Sequence, residues 1–182
     1  ADRARSDRDR MRDELESEVR IARERVAEAD HGLAIVQERV APAARDFRQA
    51  ADIVLRASVP NLGVAVDAFD VLASGVPLDD LDILDPDQTF LVQVSDYMWQ
   101  EVRSAEEQAV TATHFRVFPG EGAHSEALSE FISRLDTNGY VGNYSFDVYN
   151  DDFLQMPPEV VSVRARRAAV WLAETVLRRA LP

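Results

Sequence analysis

The chain has 182 residues with no cysteine and no lysine, which excludes disulfides, thiolate metal sites and Schiff-base chemistry. Its formal net charge of −13 argues against a nucleic-acid partner, because phosphate binding depends on clustered positive charge. No apolar run approaches the ~20 residues that cross a bilayer and no signal-peptide pattern is found, so we expect a cytoplasmic protein without membrane contact.

Helical and strand patterns alternate along the chain, beginning with an amphipathic helix over about residues 7–29. Four strands are predicted, at residues 33–36, 62–66, 89–92 and 143–148, and the continuously apolar run at 33–36 is typical of a parallel strand covered on both faces. Further helices are predicted over residues 43–57, 125–137 and 158–180. A short acidic segment at residues 78–84 and a long polar loop at residues 97–115 complete the pattern. This alternation predicts a parallel α/β sheet in one domain, 1–182, with residues 1–30 as a preceding helix.

The apolar spacing within two of these helices also predicts which side chains face the core. In the helix over residues 43–57 the inner positions are Phe47, Ala51, Val54 and Leu55. In the helix over residues 125–137 they are Leu128, Phe131, Ile132 and Leu135.

One polar residue stands at or just past the end of each predicted strand: Glu38, Asp67, Gln93 and Asp147. The carboxyl ends of parallel strands form the edge where parallel barrels place their active sites. Three carboxylates and a carboxamide meeting there would make an all-oxygen site, which suits Mg2+ or Mn2+ rather than zinc. Any one of these residues alone is more often a helix cap or a salt-bridge partner, but four in register favour a site.

Three segments carry a family resemblance. His-Phe-Arg-Val-Phe-Pro-Gly-Glu-Gly at residues 114–122, the helix after it and Gly-Tyr-Val-Gly at 139–142 resemble the last unit of the sugar phosphate isomerase/epimerase family, the xylose-isomerase-like TIM barrels. Residues 61–70 resemble that family's Gly-x-x-x-Asp-x-Phe-His strand. Gln93, where the family more often has a histidine ligand, is similar to bacterial 3-dehydroshikimate dehydratases of this fold.

The resemblance implies a parallel (β/α) half-barrel that corresponds to the last four strand–helix units of a TIM barrel. It implies metal binding by Glu38, Asp67, Gln93 and Asp147, with Glu38 or Asp147 as the general base. Arg116, His114 and Asp70 would contact the substrate. The implied activity is a divalent-metal lyase or isomerase, which abstracts a proton next to a carbonyl of a small polyhydroxylated acid or sugar.

Two departures from the family pattern leave an alternative open. Asp147 stands where the family has a longer glutamate, and Asp70 stands where it has histidine. A degenerate, non-catalytic half-barrel that serves in binding or assembly would explain both. A half-barrel also leaves strand edges unpaired. We therefore expect a complementary N-terminal half chain, pairing with a second copy, or a sequence cut at its start.

Overall fold

The computed structural model describes residues 41–180 together with residues 17, 20, 21 and 23–27. The chain divides into two units, Ala1–Glu38 and Arg39–Pro182. The described residues of the first unit are helical, as predicted for residues 7–29. The predicted strand at 33–36 and the predicted ligand Glu38 lie outside the described residues, and the single-domain assignment stays a prediction.

Strands and helices alternate through the second unit. The strands are β1 (Val64–Asp67), β2 (Thr89–Val94), β3 (Asp96–Tyr97), β4 (Arg116–Val117) and β5 (Asn143–Phe146). The α-helices are α1 (Ala41–Ala57), α2 (Ala68–Ser74), α3 (Ala105–His114), α4 (Ser125–Thr137), α5 (Asp151–Leu154) and α6 (Pro158–Val170). Short 3-10 helices cover Leu78–Ile83 and Pro86–Gln88, and a π-helical turn, Trp171–Val176, extends α6.

Three parallel strands form the main sheet in the order β1-β2-β5, so β2 is central. These strands confirm three of the four predicted strands, those at residues 62–66, 89–92 and 143–148. In the described part of the chain the sheet is open, with β1 and β5 at its edges. Among the described residues, no helix combines the length and the apolar character that crossing a membrane would require.

The two faces of this sheet differ because successive side chains of a strand point to opposite sides. One face carries Val66, Val92 and Val94, which are buried in the main hydrophobic core. The four side chains predicted for the inner face of α4 pack into that core and are at most 2% exposed, so their assignment is confirmed. The other face carries Asp67, Gln93 and Ser145 at paired register positions.

Two predictions were wrong. Leu55 is 57% exposed, because the buried stripe of α1 runs through Val54, about 100° away around the helix. The predicted polar loop at 97–115 contains the helix α3. Ser104 is the N-cap of that helix, since its hydroxyl accepts from the Glu107 backbone N–H at 3.1 Å. The Glu107 carboxylate accepts in turn from the Arg103 backbone N–H at 2.7 Å.

Candidate functional site

Asp67 is the last residue of β1 and the N-cap of α2. Its Oδ1 atom accepts a hydrogen bond from the Phe69 backbone N–H at 2.9 Å. This is the capping role that a carboxylate at a strand end most often has. Its second oxygen, Oδ2, is not used by the cap and faces another group.

The guanidinium of Arg116 faces the Oδ2 atom of Asp67 and joins two of the predicted site residues. Its Nη1 atom donates to Asp67 Oδ2 at 2.6 Å and to Asp147 Oδ2 at 2.9 Å. The side chains of Arg116, Asp67 and Asp147 are 7%, 13% and 21% exposed. Two carboxylates from opposite edges of the sheet therefore converge on one nitrogen atom in a largely buried setting.

The backbone of Arg116 is fixed from two sides. β4 pairs antiparallel with β3, which places Arg116 opposite Tyr97 just beyond the end of β2. The Arg116 N–H donates to the Tyr149 carbonyl at 3.0 Å, and its carbonyl accepts from Asn150 Nδ2 at 2.9 Å. The segments that follow β2 and β5 thus hold the arginine at the carboxyl edge of the sheet.

Phe69 and Ser95 complete the surroundings of the guanidinium. The guanidinium carbon lies 4.3 Å from the centre of the Phe69 ring, a cation–π arrangement. Ser95 is fully buried, and its hydroxyl lies 3.5 Å from Nη1. The sequence analysis assigned no role to Phe69, Ser95 or Asn150, although all three belong to segments that follow predicted strands.

Gln93 lies beside the two carboxylates along the sheet. It pairs in register with Asp67 on β1 and with Ser145 on β5, two residues before Asp147. In parallel strands, register partners place their side chains on the same face. Asp67, Gln93 and Asp147 therefore lie on one face near one edge, as predicted from the strand ends.

Asp70 lies within electrostatic range of the same residues, although its side chain reaches solvent. Desolvation by the surrounding protein raises the pKa of Asp70, and the negative charge of Asp67 raises it further. Arg116 and a hydrogen bond with Gln108 act in the opposite direction without cancelling the rise. The structure thus brings Asp70 to the predicted site.

Of the two remaining predicted site residues, the structure describes only His114, and no described contact joins it to this cluster. His114 is exposed, and its Nδ1 atom lies 3.1 Å from an oxygen of Asp151. Glu38 lies outside the described residues. Within the described ranges, no three His, Asp or Glu side chains form a group that could hold a metal ion. The described part of the predicted ligand set is therefore two carboxylates and one carboxamide.

The turn after β4 is built around the buried carboxylate of Asp96. Asp96 Oδ1 accepts from the backbone N–H groups of Tyr97 at 2.7 Å and His124 at 3.1 Å, and Oδ2 accepts from the Ser125 hydroxyl at 3.1 Å. A Cβ at Gly122 would lie 2.3 Å from Asp96 Oδ1, so only glycine fits there. This explains the second glycine of the Pro-Gly-Glu-Gly motif.

A cleft of about 870 Å3 opens elsewhere, between α3 and the segment that follows β3. Trp99, Val102, Val110 and Phe115 are among the residues that line it. None of the predicted site residues that the structure describes lines it, so the cleft is separate from the carboxylate cluster.

Comparison with known proteins places this geometry in context. No protein-family model matches the chain. The chain is 33% identical over 129 residues to a 3-dehydroshikimate dehydratase of Pseudomonas aeruginosa and 30% identical over 129 residues to one of Pseudomonas putida. Each match covers 70% of this chain and 19% of the dehydratase. An inosose isomerase of Halalkalibacterium halodurans is 27% identical over 124 residues, which cover 68% of this chain and 41% of the isomerase. The chain thus spans about a fifth of the length of the two dehydratases.

Solved structures agree with the fold. A fusion of a xylose isomerase-like TIM barrel with 4-hydroxyphenylpyruvate dioxygenase matches with a TM-score of 0.62 and 26% identity, over 75% of this chain and 22% of the fusion. The IolI protein with a bound zinc atom matches with a TM-score of 0.57 and 22% identity, over 70% of this chain and 43% of IolI. These findings confirm the resemblance found in the motifs. The chain is a homologue of 3-dehydroshikimate dehydratase and inosose isomerase, and its parallel strands and helices match part of the fold of xylose isomerase-like TIM barrels, although the described strands do not close into a barrel.

Proposed function

We propose that the chain carries the carboxyl-edge site of a divalent-metal-dependent lyase or isomerase that acts on a small polyhydroxylated acid or sugar. The observation that carries this proposal is the convergence of Asp67 and Asp147 on one point beside Gln93. The names of the homologues, a dehydratase and an isomerase, support the two reaction classes. The zinc atom in the IolI structure supports divalent-metal binding in this fold.

The described residues fit a metal by the chemistry of their donors. Asp67 and Asp147 each direct one oxygen at the same cationic nitrogen, so a cation already satisfies both. Gln93 adds a carboxamide on the same face, and Glu38 would be the fourth ligand. Oxygen donors of this kind bind Mg2+ and Mn2+. A bound divalent ion would supply Lewis-acid polarisation of the substrate carbonyl.

The side chains would divide the remaining work. Arg116 would orient a carboxylate or hydroxyl of the substrate, since a guanidinium presents several donors in a fixed plane. A carboxylate, Glu38 or Asp147, would take the proton from the carbon next to the carbonyl. The electrons of the broken C–H bond would enter the carbon–carbon bond and give an enediolate. Reprotonation of this enediolate would complete an isomerisation. For a dehydration, a neighbouring hydroxyl would take the abstracted proton back from the carboxyl group and leave as water, while the carbonyl re-forms and a new carbon–carbon double bond is made.

Solvent-deuterium exchange tests both reaction classes at once. The purified protein is incubated in D2O with Mn2+, and separately with Mg2+ or Zn2+, and with 3-dehydroshikimate or an inosose. Mass spectrometry then follows deuterium uptake and loss of one water. We expect turnover that Asp147→Asn abolishes and that the control variant Asp152→Asn, at an exposed side chain outside the cluster, retains. Turnover that survives Asp147→Asn or Glu38→Gln would contradict the assignment of that residue.

The non-catalytic alternative has no support from the comparisons, and Asp147 and Asp70 are the residues that test it. Asp147→Glu and Asp70→His restore the family pattern at both positions. If the natural residues serve an active site, the wild type shows measurable turnover and metal affinity, and these substitutions change both. Metal affinity or turnover seen only in the restored variant would favour decay from an enzyme. A partner half chain, self-pairing and a cytoplasmic location stay predictions, which native mass spectrometry and localisation would test.

A further inference from the structure

Arg116 already occupies the coordination point of the proposed metal ligands. One atom, Nη1, contacts Asp67 Oδ2 and Asp147 Oδ2, the oxygens of the two carboxylates assigned as ligands. We propose that Arg116 and the divalent ion compete for these carboxylates, so that metal binding moves the guanidinium from the carboxylates to the substrate. This inference rests on the proposed function, because it needs Asp67 and Asp147 to be ligands.

Electrostatics makes the two cations mutually exclusive at this point. The pair of carboxylates carries two negative charges, of which Arg116 offsets one. A divalent ion bound to the same two oxygens would stand next to the guanidinium nitrogen. The repulsion would be strong because Arg116 and Asp67 are largely buried, where the effective dielectric constant is low. This repulsion is avoided only if Nη1 withdraws from the carboxylates or if the divalent ion does not bind to them.

The contact of Arg116 with Phe69 would permit a short withdrawal of the guanidinium. The guanidinium lies over the Phe69 ring at 4.3 Å, and stacking on a flat ring tolerates sliding more readily than a hydrogen bond does. The Nε–H group is buried and has no hydrogen-bond partner among the described residues. A buried donor without a partner is costly, and an oxygen of a bound substrate would satisfy it. The displaced guanidinium would therefore have a donor ready for the substrate.

The competition predicts that removal of Arg116 strengthens metal binding. Mn2+ binding to EDTA-stripped protein is measured from the electron paramagnetic resonance signal of the free ion, for wild type, Arg116→Gln and Arg164→Gln. Arg164 is a matched control, because it pairs with Glu121 at 2.8 Å and lies 4.2 Å over the Phe153 ring. We expect Arg116→Gln to bind Mn2+ about tenfold tighter or more, a typical size for energetic coupling between sites. Arg164→Gln should keep the wild-type affinity.

The outcomes separate the inference from the proposed function. Equal or weaker Mn2+ binding by Arg116→Gln overturns the competition and leaves the metal site in place. No Mn2+ binding by either protein overturns the metal site and the competition with it. If Arg116→Gln does not fold, nitrogen-15 arginine NMR of the wild type decides. Mg2+ should then shift the resonance of a solvent-protected Nε–H group, and an unchanged spectrum of the Mg2+-bound protein would overturn the inference.

Discussion

Replacement of Gly122 by alanine is expected to disrupt the turn that leads from β4 to α4. The added Cβ would lie 2.3 Å from Asp96 Oδ1, 2.4 Å from Asp96 Cγ and 2.6 Å from the Tyr97 carbonyl oxygen. Real Cβ atoms do not approach other atoms so closely, so the Asp96 carboxylate must shift. Tyr97 pairs with Arg116 across β3 and β4, and its carbonyl accepts from the Ala123 N–H at 2.8 Å. The disturbance therefore reaches the segment that holds Arg116.

The hydrogen bonds of Asp96 give the size of the effect. The buried carboxylate accepts three, at 2.7, 3.1 and 3.1 Å. A hydrogen bond to a charged group contributes about 1.5–3 kcal/mol, so loss of one or two lowers the free energy of unfolding by roughly 1.5–6 kcal/mol. Without a collision, Gly→Ala at a compatible backbone would instead stabilise by about 0.4–1 kcal/mol.

Urea denaturation followed by circular dichroism measures this difference. Gly139→Ala is the control, because its Cβ would meet only Pro86 Cγ at 3.8 Å and its cost comes from a φ of +98°. That strain is about 1–2 kcal/mol. In an Asp96→Ala background two of the three colliding atoms disappear, so Gly122→Ala should cost at least about 1 kcal/mol less than in wild type. An equal cost in both backgrounds, or no cost in wild type, would refute the reasoning.

Three further substitutions test separate parts of the structure. Asp70→Asn should raise the melting temperature near neutral pH in EDTA, because the pKa of Asp70 is raised above 3.8 and its ionised form is disfavoured by the fold. The gain should shrink as pH falls through the raised pKa, and a gain that persists at lower pH would contradict this. Phe131→Ala should cost about 3–5 kcal/mol in urea denaturation, since Phe131 is fully buried in the core; a cost near zero would refute that packing. Ser104→Ala should cost about 1 kcal/mol and reduce hydrogen-exchange protection in α3, and unchanged protection would contradict the capping role.

The strands and α4 were predictable because their signals are local. Apolar runs mark β1 and β2, alternating polar and aromatic residues mark β5, and helical spacing gave α4 its predicted bounds, Ser125–Thr137. Placement of Asp67, Gln93 and Asp147 along one edge followed from the parallel order, since strands that run the same way end on the same side. The helix α3 is also locally encoded, by Ser-x-x-Glu at its start, although the polar composition of residues 97–115 favours a loop.

The use of Arg116 could not be predicted from spacing. Its partners lie 49 and 31 residues away in sequence, so only the folded chain brings the three side chains together. Sequence patterns gave each strand-end acid two roles, helix cap or ligand. Asp67 shows that one carboxylate can make a cap and a second contact, because its Oδ1 caps α2 while its Oδ2 accepts from Arg116. Such sharing depends on the direction of individual oxygen atoms, which a sequence pattern does not encode.

The two tryptophans of the chain lie beside opposite ends of the segment that carries Arg116. Trp99 contacts the Phe115 ring edge-on at 5.7 Å, one residue before Arg116. The indole of Trp171 stands against Gly120, where an added Cβ would meet it at 3.3 Å. Indole emission responds to local polarity and packing, so the intrinsic fluorescence of the unlabelled protein should report a shift of this segment. With Trp99→Phe, the remaining indole emission comes from Trp171 alone. A rapid-mixing experiment with a metal ion would then time a shift of the Arg116 segment as sensed beside Gly120.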